Sequence, residues 1–289
     1  MVSFIKTQTK WLEIILMYSC IFVFFAIILS VVLRIFYVIL RKPTIYSLKK
    51  DGICVIKNLL SESEIKTIKN DIKAGKTMAA KEYIINSEKI RKKIKTILGR
   101  DYKFHDYIFS IKRSQIHTCH RDYNGDFFNK DQKYPSYTII IYLENMEKCL
   151  EVIPKSHEHL YYNVINATDP TETVLCDAGD AVLFNGNIIH SGAINEKEDN
   201  MRIQMKISHR NDQNTLYFYQ NYNKELDKEN TTSKWSKYFI KHVSCQFPIL
   251  STFTQQYDYD VTKKKDDKSS IFSELFYGDS QFYNLKTLE

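Results

Sequence analysis

His120-Arg121-Asp122, and farther along Gly179-Asp180-Ala181-Val182-Leu183-Phe184 running on to His190, are the stretches on which the fold of this chain turns. Side chains two apart on an extended strand share a face, so His120 and Asp122 can meet one ion from one strand end. The second stretch reads as a turn entering a buried strand, and it delivers His190 as a third donor. Two imidazoles and one carboxylate form the donor set that holds non-haem Fe(II) on one face and leaves the opposite face open. After His190 a polar, turn-rich stretch precedes Met201-Arg202-Ile203-Gln204-Met205-Lys206-Ile207, which alternates apolar and polar residues. This reads as a hairpin that returns Arg202 to the neighbourhood of His190. A guanidinium there can grip a carboxylate through two parallel hydrogen bonds. A bare His-x-Asp triplet also reads as surface residues in a polar turn that continues through Tyr123-Asn124-Gly125-Asp126. The later histidine and arginine lift it above that reading.

Further motifs lie in order around these residues. Lys50-Asp51-Gly52-Ile53-Cys54-Val55-Ile56-Lys57-Asn58-Leu59-Leu60-Ser61 is the first of them. Leu150-Glu151-Val152-Ile153-Pro154-Lys155-Ser156-His157 follows, and Arg202 comes 12 residues after His190. On these residues the chain resembles the phytanoyl-CoA dioxygenase family of Fe(II)/2-oxoglutarate oxygenases over roughly residues 48–210. The second segment is similar to the family's L-x-V-x-P-G-S-H, with Lys155 in the place of the usual glycine. The resemblance implies iron ligands at His120, Asp122 and His190, and Arg202 on the distal carboxylate of 2-oxoglutarate. It implies Fe(II), 2-oxoglutarate as co-substrate and O2, with ascorbate as an accessory reductant, and no catalytic side chain beyond the metal site. The reaction implied is hydroxylation of a C–H bond with release of succinate and CO2. Halogenating relatives replace the carboxylate ligand, so the retention of Asp122 favours hydroxylation. Two positions depart from the pattern: Gly192 stands where a small hydroxyl residue is common, with Ser191 one earlier, and Gln204 stands where Ser or Thr is common.

Other polar residues have plainer readings. His117 faces the opposite side of the strand from His120, His157 orders a turn, and His105 and His159 have no evident partner. Cys119 points away from the metal on a regular strand. Tyr137 and Tyr142, on an apolar run, are read as packing before pocket lining.

The start of the chain carries a second strong signal. Ile14 to Leu33 is uncharged and almost wholly apolar, with Glu13 before it and Arg34 after it. Twenty residues at about 1.5 Å rise span about 30 Å, enough to cross a bilayer. The apolar run is longer than the core of a cleaved signal peptide and shows no small-residue cleavage site. It is therefore read as a single-pass transmembrane helix. Lys6 and Lys10 flank one side; Arg34, Arg41, Lys42, Lys49 and Lys50 flank the other, which by the positive-inside rule places the catalytic domain in the cytosol. Two sequons, Asn166-Ala167-Thr168 and Asn230-Thr231-Thr232, point weakly to the lumen instead. The six cysteines show no CxxC spacing, which excludes an evident zinc site or disulfide framework. The net charge of +7 gathers beside the anchor and suits anionic headgroups. No basic motif with interleaved aromatics argues for nucleic acid, and Lys263-Lys264-Lys265 runs straight into two acids.

These signals divide the chain into a short tail (1–13), an anchor with its juxtamembrane segment (14–40), a dioxygenase domain (41–210) and a C-terminal extension that packs on or covers the barrel (211–289). Ser61-Glu62-Ser63-Glu64 has capping-box character, with Ile65, Ile68 and Ile72 at helical spacing. Ser87 to Leu98 gives a second helix. From Tyr102 to His209 the pattern changes to short strands and turns. Helices followed by such strands suit a mostly β, cupin-like double-stranded β-helix (jelly roll) with helices outside. Ser233 to Phe247 reads as a late helix whose apolar face is Trp235, Phe239, Ile240 and Val243. Partners expected are the lipid bilayer and a substrate that is a lipid, a metabolite or a membrane-proximal protein. Two other classes fit the residues: a tethered, non-enzymatic jelly-roll binding protein, and a metal-dependent cupin that ignores 2-oxoglutarate.

Overall fold

The computed structural model describes residues 2–39, 46–114, 116–122, 132–158, 171–196, 199–248 and 271–289. The readings placed on Tyr123 to Asp126, His159, the Asn166 sequon, Lys263 to Lys265 and the boundary at 40/41 lie outside those residues.

Among the described residues one segment is long and apolar enough to cross a membrane, Ile14–Leu33 within helix α1 (Val2–Ile39), and most side chains of that segment face outward. The globular part opens with α2 (Leu48–Asp51) and β1 (Ile53–Ile56). Gly52 between them sits at φ 79, where a side chain is strained, and a Cβ there would lie 2.5 Å from the His157 ring. His157 thus packs against the turn, as the sequence predicts. Lys155 holds φ 66, so it keeps the left-handed backbone of the glycine it replaces.

Three helices follow: α3 (Glu62–Lys73), α4 (Thr77–Asn86) and α5 (Glu88–Leu98). Ser61 and Glu64 close a reciprocal capping box on α3, and Ser87 caps α5. Ile68, Ile72, Ile84, Ile90 and Ile94 all turn inward. They pack on the outer face of the larger sheet, against Met201, Ile203, Met205 and Ile207.

The strands are β2 (Tyr102–Phe104), β3 (Tyr107–Arg113), β4 (Tyr137–Tyr142), β5 (Leu150–Ile153), β6 (Glu172–Val174), β7 (Ala181–Asn185), β8 (Ile189–Gly192), β9 (Asp199–His209), β10 (Tyr222–Asp227) and β11 (Lys286–Thr287). The larger sheet has the order β1-β7-β4-β9-β3-β10-β11, with β2 also on β9. The smaller sheet is β6-β5-β8, and an antiparallel bridge from His120 to His190 adds one more segment beside β8. From β3 onward the chain alternates between them: larger, smaller at His120, larger at β4, smaller at β5 and β6, larger at β7, smaller at β8, larger at β9. That winding is a double-stranded β-helix.

It also corrects the hairpin reading. β8 and β9 are consecutive but lie in different sheets, so Arg202 approaches His190 from across the barrel. Alternation in a sequence reports that a strand has two faces; it does not report which neighbour the strand pairs with.

Helix α6 (Lys234–Gln246) covers the smaller sheet from outside, and its packing reverses the expected orientation. Trp235 is 86% exposed and Phe239 50% exposed, while Lys241, His242 and Cys245 are buried. The sheet's outer surface explains this. It presents Glu151, which takes an ion pair from Lys241 at 2.6 Å, and Cys119, which is disulfide-bonded to Cys245. Ser244 Oγ also accepts the Cys119 N–H at 2.8 Å. Two cysteines 126 residues apart therefore pair, where spacing alone indicated no framework. Helix α6 touches α1 as well, through Gln246 and Ser30. Helix α7 (Ile271–Tyr277) lies near the start of α6, with Gly278 against Thr231.

Candidate metal centre

His120 and His190 are direct cross-strand partners. Each donates its backbone N–H to the other's carbonyl at 2.9 Å, and their rings lie 4.4 Å apart. Each imidazole is pinned in the same way. His120 Nδ1 bonds the Thr118 carbonyl at 2.8 Å, and His190 Nδ1 bonds the Ile188 carbonyl at 3.0 Å. A carbonyl only accepts, so Nδ1 carries the proton in both rings and Nε2 is left with its lone pair. Such outer hydrogen bonds fix the tautomer and orientation of metal-binding histidines.

Asp122 completes the cluster. Its backbone N–H reaches the Gly186 carbonyl at 2.9 Å, and its Oδ1 lies 3.8 Å from His190 Nε2. One ligand atom from each of His120, Asp122 and His190 falls within 4.8 Å of the others, and all three residues are buried. That is the donor chemistry of a non-haem iron site, so the residues present fit the metal that the sequence implies.

The second carboxylate oxygen is engaged elsewhere. Asp122 Oδ2 accepts from Lys206 Nζ at 2.6 Å and from the Thr138 hydroxyl, and Lys206 also reaches Thr138 Oγ1 at 2.8 Å. Lys206 and Thr138 are register partners on β9 and β4. Sequence reasoning did not single out either residue. The signal was available for Lys206, which shares a strand face with Arg202 in the alternating run.

Burial sets the protonation states. It pushes the His120 imidazole down to about 3, with His190 adding to the effect and Asp122 opposing it. It lowers His190 as well, against the pull of Asp122. Burial alone would raise the Asp122 carboxyl, but Lys206 and the two histidines hold it well below the carboxylate range. The three donors therefore stand unprotonated at neutral pH, and the His190–Asp122 contact joins a neutral ring to a carboxylate.

Arg202 sits on the inner face of the larger sheet, paired with Ile111 on β3 and Tyr142 on β4. Its guanidinium donates to the Asn200 carbonyl at 3.0 Å, to Asn200 Oδ1 at 2.6 Å and to the Ser114 carbonyl at 3.2 Å. Gln204 forms the next rung, between Ile140 and Phe109, and Lys206 the one after. Arg202, Gln204, Lys206 and the three donors line one partly open cavity of about 150 Å³. Gly192 lines it too. A Cβ there would lie 2.7 Å from the Ile116 carbonyl oxygen, so the hydroxyl residue common in the family has no room here. The remaining wall is apolar and aromatic, and includes Tyr107, Tyr219, Tyr222 and Tyr283.

Other sequence candidates fall outside the cavity. His117 is buried against Tyr277 and accepts from Asn230 Nδ2 at 2.9 Å. That bond also draws the amide of the Asn230 sequon into the interior. Tyr142 is fully buried among apolar residues, and Tyr137 packs edge-on to Tyr102.

The match to one family model agrees with this chemistry. The family model described as phytanoyl-CoA dioxygenase matches residues 76–203. No curated protein matches the chain. Among solved structures, the non-heme alpha-ketoglutarate-dependent epimerase SnoN of nogalamycin biosynthesis is 12% identical, with a TM-score of 0.45 over 56% of this chain and 80% of that one. The carbocyclase SnoK of the same biosynthesis is 15% identical, with a TM-score of 0.44 over 58% and 87%. HygX from Streptomyces hygroscopicus, solved with nickel and 2-oxoglutarate, is 10% identical, with a TM-score of 0.40 over 56% and 84%. The matched span contains His120, Asp122, His190 and Arg202, and over residues 76–203 this chain is similar to the phytanoyl-CoA dioxygenase family.

Proposed function

We propose that this protein is a membrane-anchored Fe(II)/2-oxoglutarate-dependent dioxygenase that hydroxylates a C–H bond. The observation that carries the reading is the convergence of three unprotonated donors, with both imidazoles locked so that Nε2 is the free nitrogen. His120, Asp122 and His190 would hold Fe(II). Arg202 would take the distal carboxylate of 2-oxoglutarate as a charge-assisted pair. The bound metal, with 2-oxoglutarate and O2, supplies the oxidising power for C–H cleavage and leaves succinate and CO2, with ascorbate as accessory reductant. The chain's own residues do the rest. Lys206 and Thr138 hold Oδ2 of Asp122 and leave Oδ1 toward the histidines. Arg202 is oriented by Asn200 and Ser114, which lowers the ordering cost of binding. The aromatic wall gives the reacting centre an apolar side.

Residues 14–40 serve as anchor and juxtamembrane segment, 41–210 as the catalytic domain, and 211–289 as an extension that adds β10 to its sheet. The flanking lysines and arginines favour a cytosolic domain. The Cys119–Cys245 disulfide is a bond more at home in an oxidising compartment. Trypsin protection in sealed vesicles separates the two: digestion without detergent places the domain outside the lumen.

The function is tested by adding Fe(II) and 2-oxoglutarate anaerobically and following the visible metal-to-ligand charge-transfer band. The band should form in the wild type, vanish in His190→Ala and need more co-substrate in Arg202→Ala. A folded wild type that binds Fe(II) without the band defeats the 2-oxoglutarate reading. One that binds no Fe(II) leaves the non-enzymatic binding protein.

A further inference from the structure

The wall of the cavity opposite the donors has a composition of its own. Tyr107 on β3 and Tyr222 on β10 are register partners, and their rings stack at 5.3 Å and 10°. Tyr219 meets Tyr107 edge-on at 5.5 Å and 88°. The Lys206 ammonium lies 4.8 Å from the Tyr219 ring and 2.6 Å from Asp122. The cavity thus passes without a break from the donor cluster, past one ammonium, to a set of tyrosine rings. Tyr219, Tyr222 and Tyr283 all lie beyond residue 203, where the family match ends. Tyr107 comes from β3, and the C-terminal extension supplies the other three rings.

Two physical arguments fix what such a wall selects. Tyrosine faces and edges attract another aromatic ring through complementary quadrupoles, and a saturated ring of the same size lacks that term. Charge gives the second constraint. Among the described lining residues Asp122 is the one carboxylate, against the cations Arg202 and Lys206. In the loaded site Arg202 is taken by the co-substrate, and the charge of Asp122 is shared with a dication. The two charges of the co-substrate and those of the metal then cancel, so the lining keeps one net positive charge, which an anionic group on the substrate offsets; Lys206, held on Asp122 Oδ2, is the cation beside the rings.

Resting on the oxygenase reading above, we propose that the substrate is a flat aromatic carboxylate, its ring against the Tyr107–Tyr219–Tyr222 wall and its carboxylate toward Lys206. The test uses the full chain in detergent, loaded anaerobically with Fe(II) and 2-oxoglutarate. 3-Phenylpropanoate, 3-phenylpropan-1-ol and 3-cyclohexylpropanoate are titrated in turn, with binding read by calorimetry and by displacement of the charge-transfer band. The phenyl acid should bind several-fold, up to about tenfold, more tightly than either of the others. Tyr222→Leu should erase the preference for phenyl over cyclohexyl. Lys206→Met should erase the preference for acid over alcohol, while Lys206→Arg should keep it and guards against a Lys206→Met protein that fails to fold or to bind iron. Equal affinity for all three probes, or variants that leave both preferences intact, overturns the proposal. So does a band that forms and responds to none of the probes. A band that never forms defeats the oxygenase reading instead, so the two failures are told apart.

Discussion

Strand β9 has two faces with different duties. Met201, Ile203, Met205 and Ile207 point outward into the helical layer, all at most 5% exposed. Arg202, Gln204 and Lys206 point inward and line the cavity. The outer face is apolar and contributes stability through burial, on the order of 1.5–3 kcal/mol for each large side chain. The inner face is polar and spends part of that stability on two buried cations. A register slip of one residue would exchange the two sets. The lesson is that the helices are needed to hold the strand's polar face where it is.

Substitutions on either side can sharpen or break this division. The largest effect belongs to the cluster that the inner face serves. His190→Ala removes a donor outright, and its Fe(II) affinity in anaerobic equilibrium dialysis should fall by more than the roughly 10–100-fold that loss of an outer partner costs. The unfolding midpoint of the metal-free protein should change little. A His190→Ala protein that binds iron as well as wild type would break the assignment.

Next comes the outer face. Ile203→Ala should lower unfolding stability by about 2–5 kcal/mol, read by denaturant titration, with no selective loss of iron affinity in the fraction that remains folded. Loss of iron affinity at unchanged stability would mean that the two faces are not separable.

Of the two faces of β9, acid acts on the inner one. His120 has a folded pKa of about 3 and His105 one of about 4, both below the ordinary value near 6.5, and burial is the leading cause in each. The unfolded chain therefore binds protons that the folded chain refuses. Stability is full above about pH 6.5 and is lost as pH falls toward 4, by roughly 3 kcal/mol for one imidazole that stays neutral throughout. Asp122, held low in the fold, adds a loss of the same sign below the carboxylate range. His105→Gln should flatten part of the slope between pH 6.5 and 4. A stability curve flat over that window would contradict the burial argument.

The smallest effect is expected at Thr138→Val. It deletes one hydrogen bond to Asp122 Oδ2 and leaves Lys206 in place. Iron should bind a few-fold more weakly, in line with about 1 kcal/mol for one such bond.

How much of this could be read from the sequence follows from the range of each signal. The capping box at Ser61, the turn at Gly52 and the inward isoleucines of α3 and α5 are local, and they stand where the residues put them. The donor cluster is nonlocal but was marked by residue type and order. Three features were out of reach. β8 and β9 look like a hairpin because strand alternation is blind to sheet membership. Helix α6 turns its aromatic residues outward because Glu151 and Cys119, far away in sequence, decide which face docks. β10 pairs in parallel with β3 across more than a hundred residues, and that pairing brings Tyr222 to the cavity.

The cysteine pair has one more consequence. Cys119 immediately precedes His120 and Cys245 lies in the last turn of α6, so His120, Asp122, His190, Arg202 and Lys206 all lie inside a single covalent ring of chain. A ring of that size restricts the unfolded chain by an amount worth on the order of 4–5 kcal/mol in the loop-entropy account. It also changes what a protease can do. A single cut anywhere within the ring yields two fragments that travel together on a denaturing gel until a reductant is added, and only then separate.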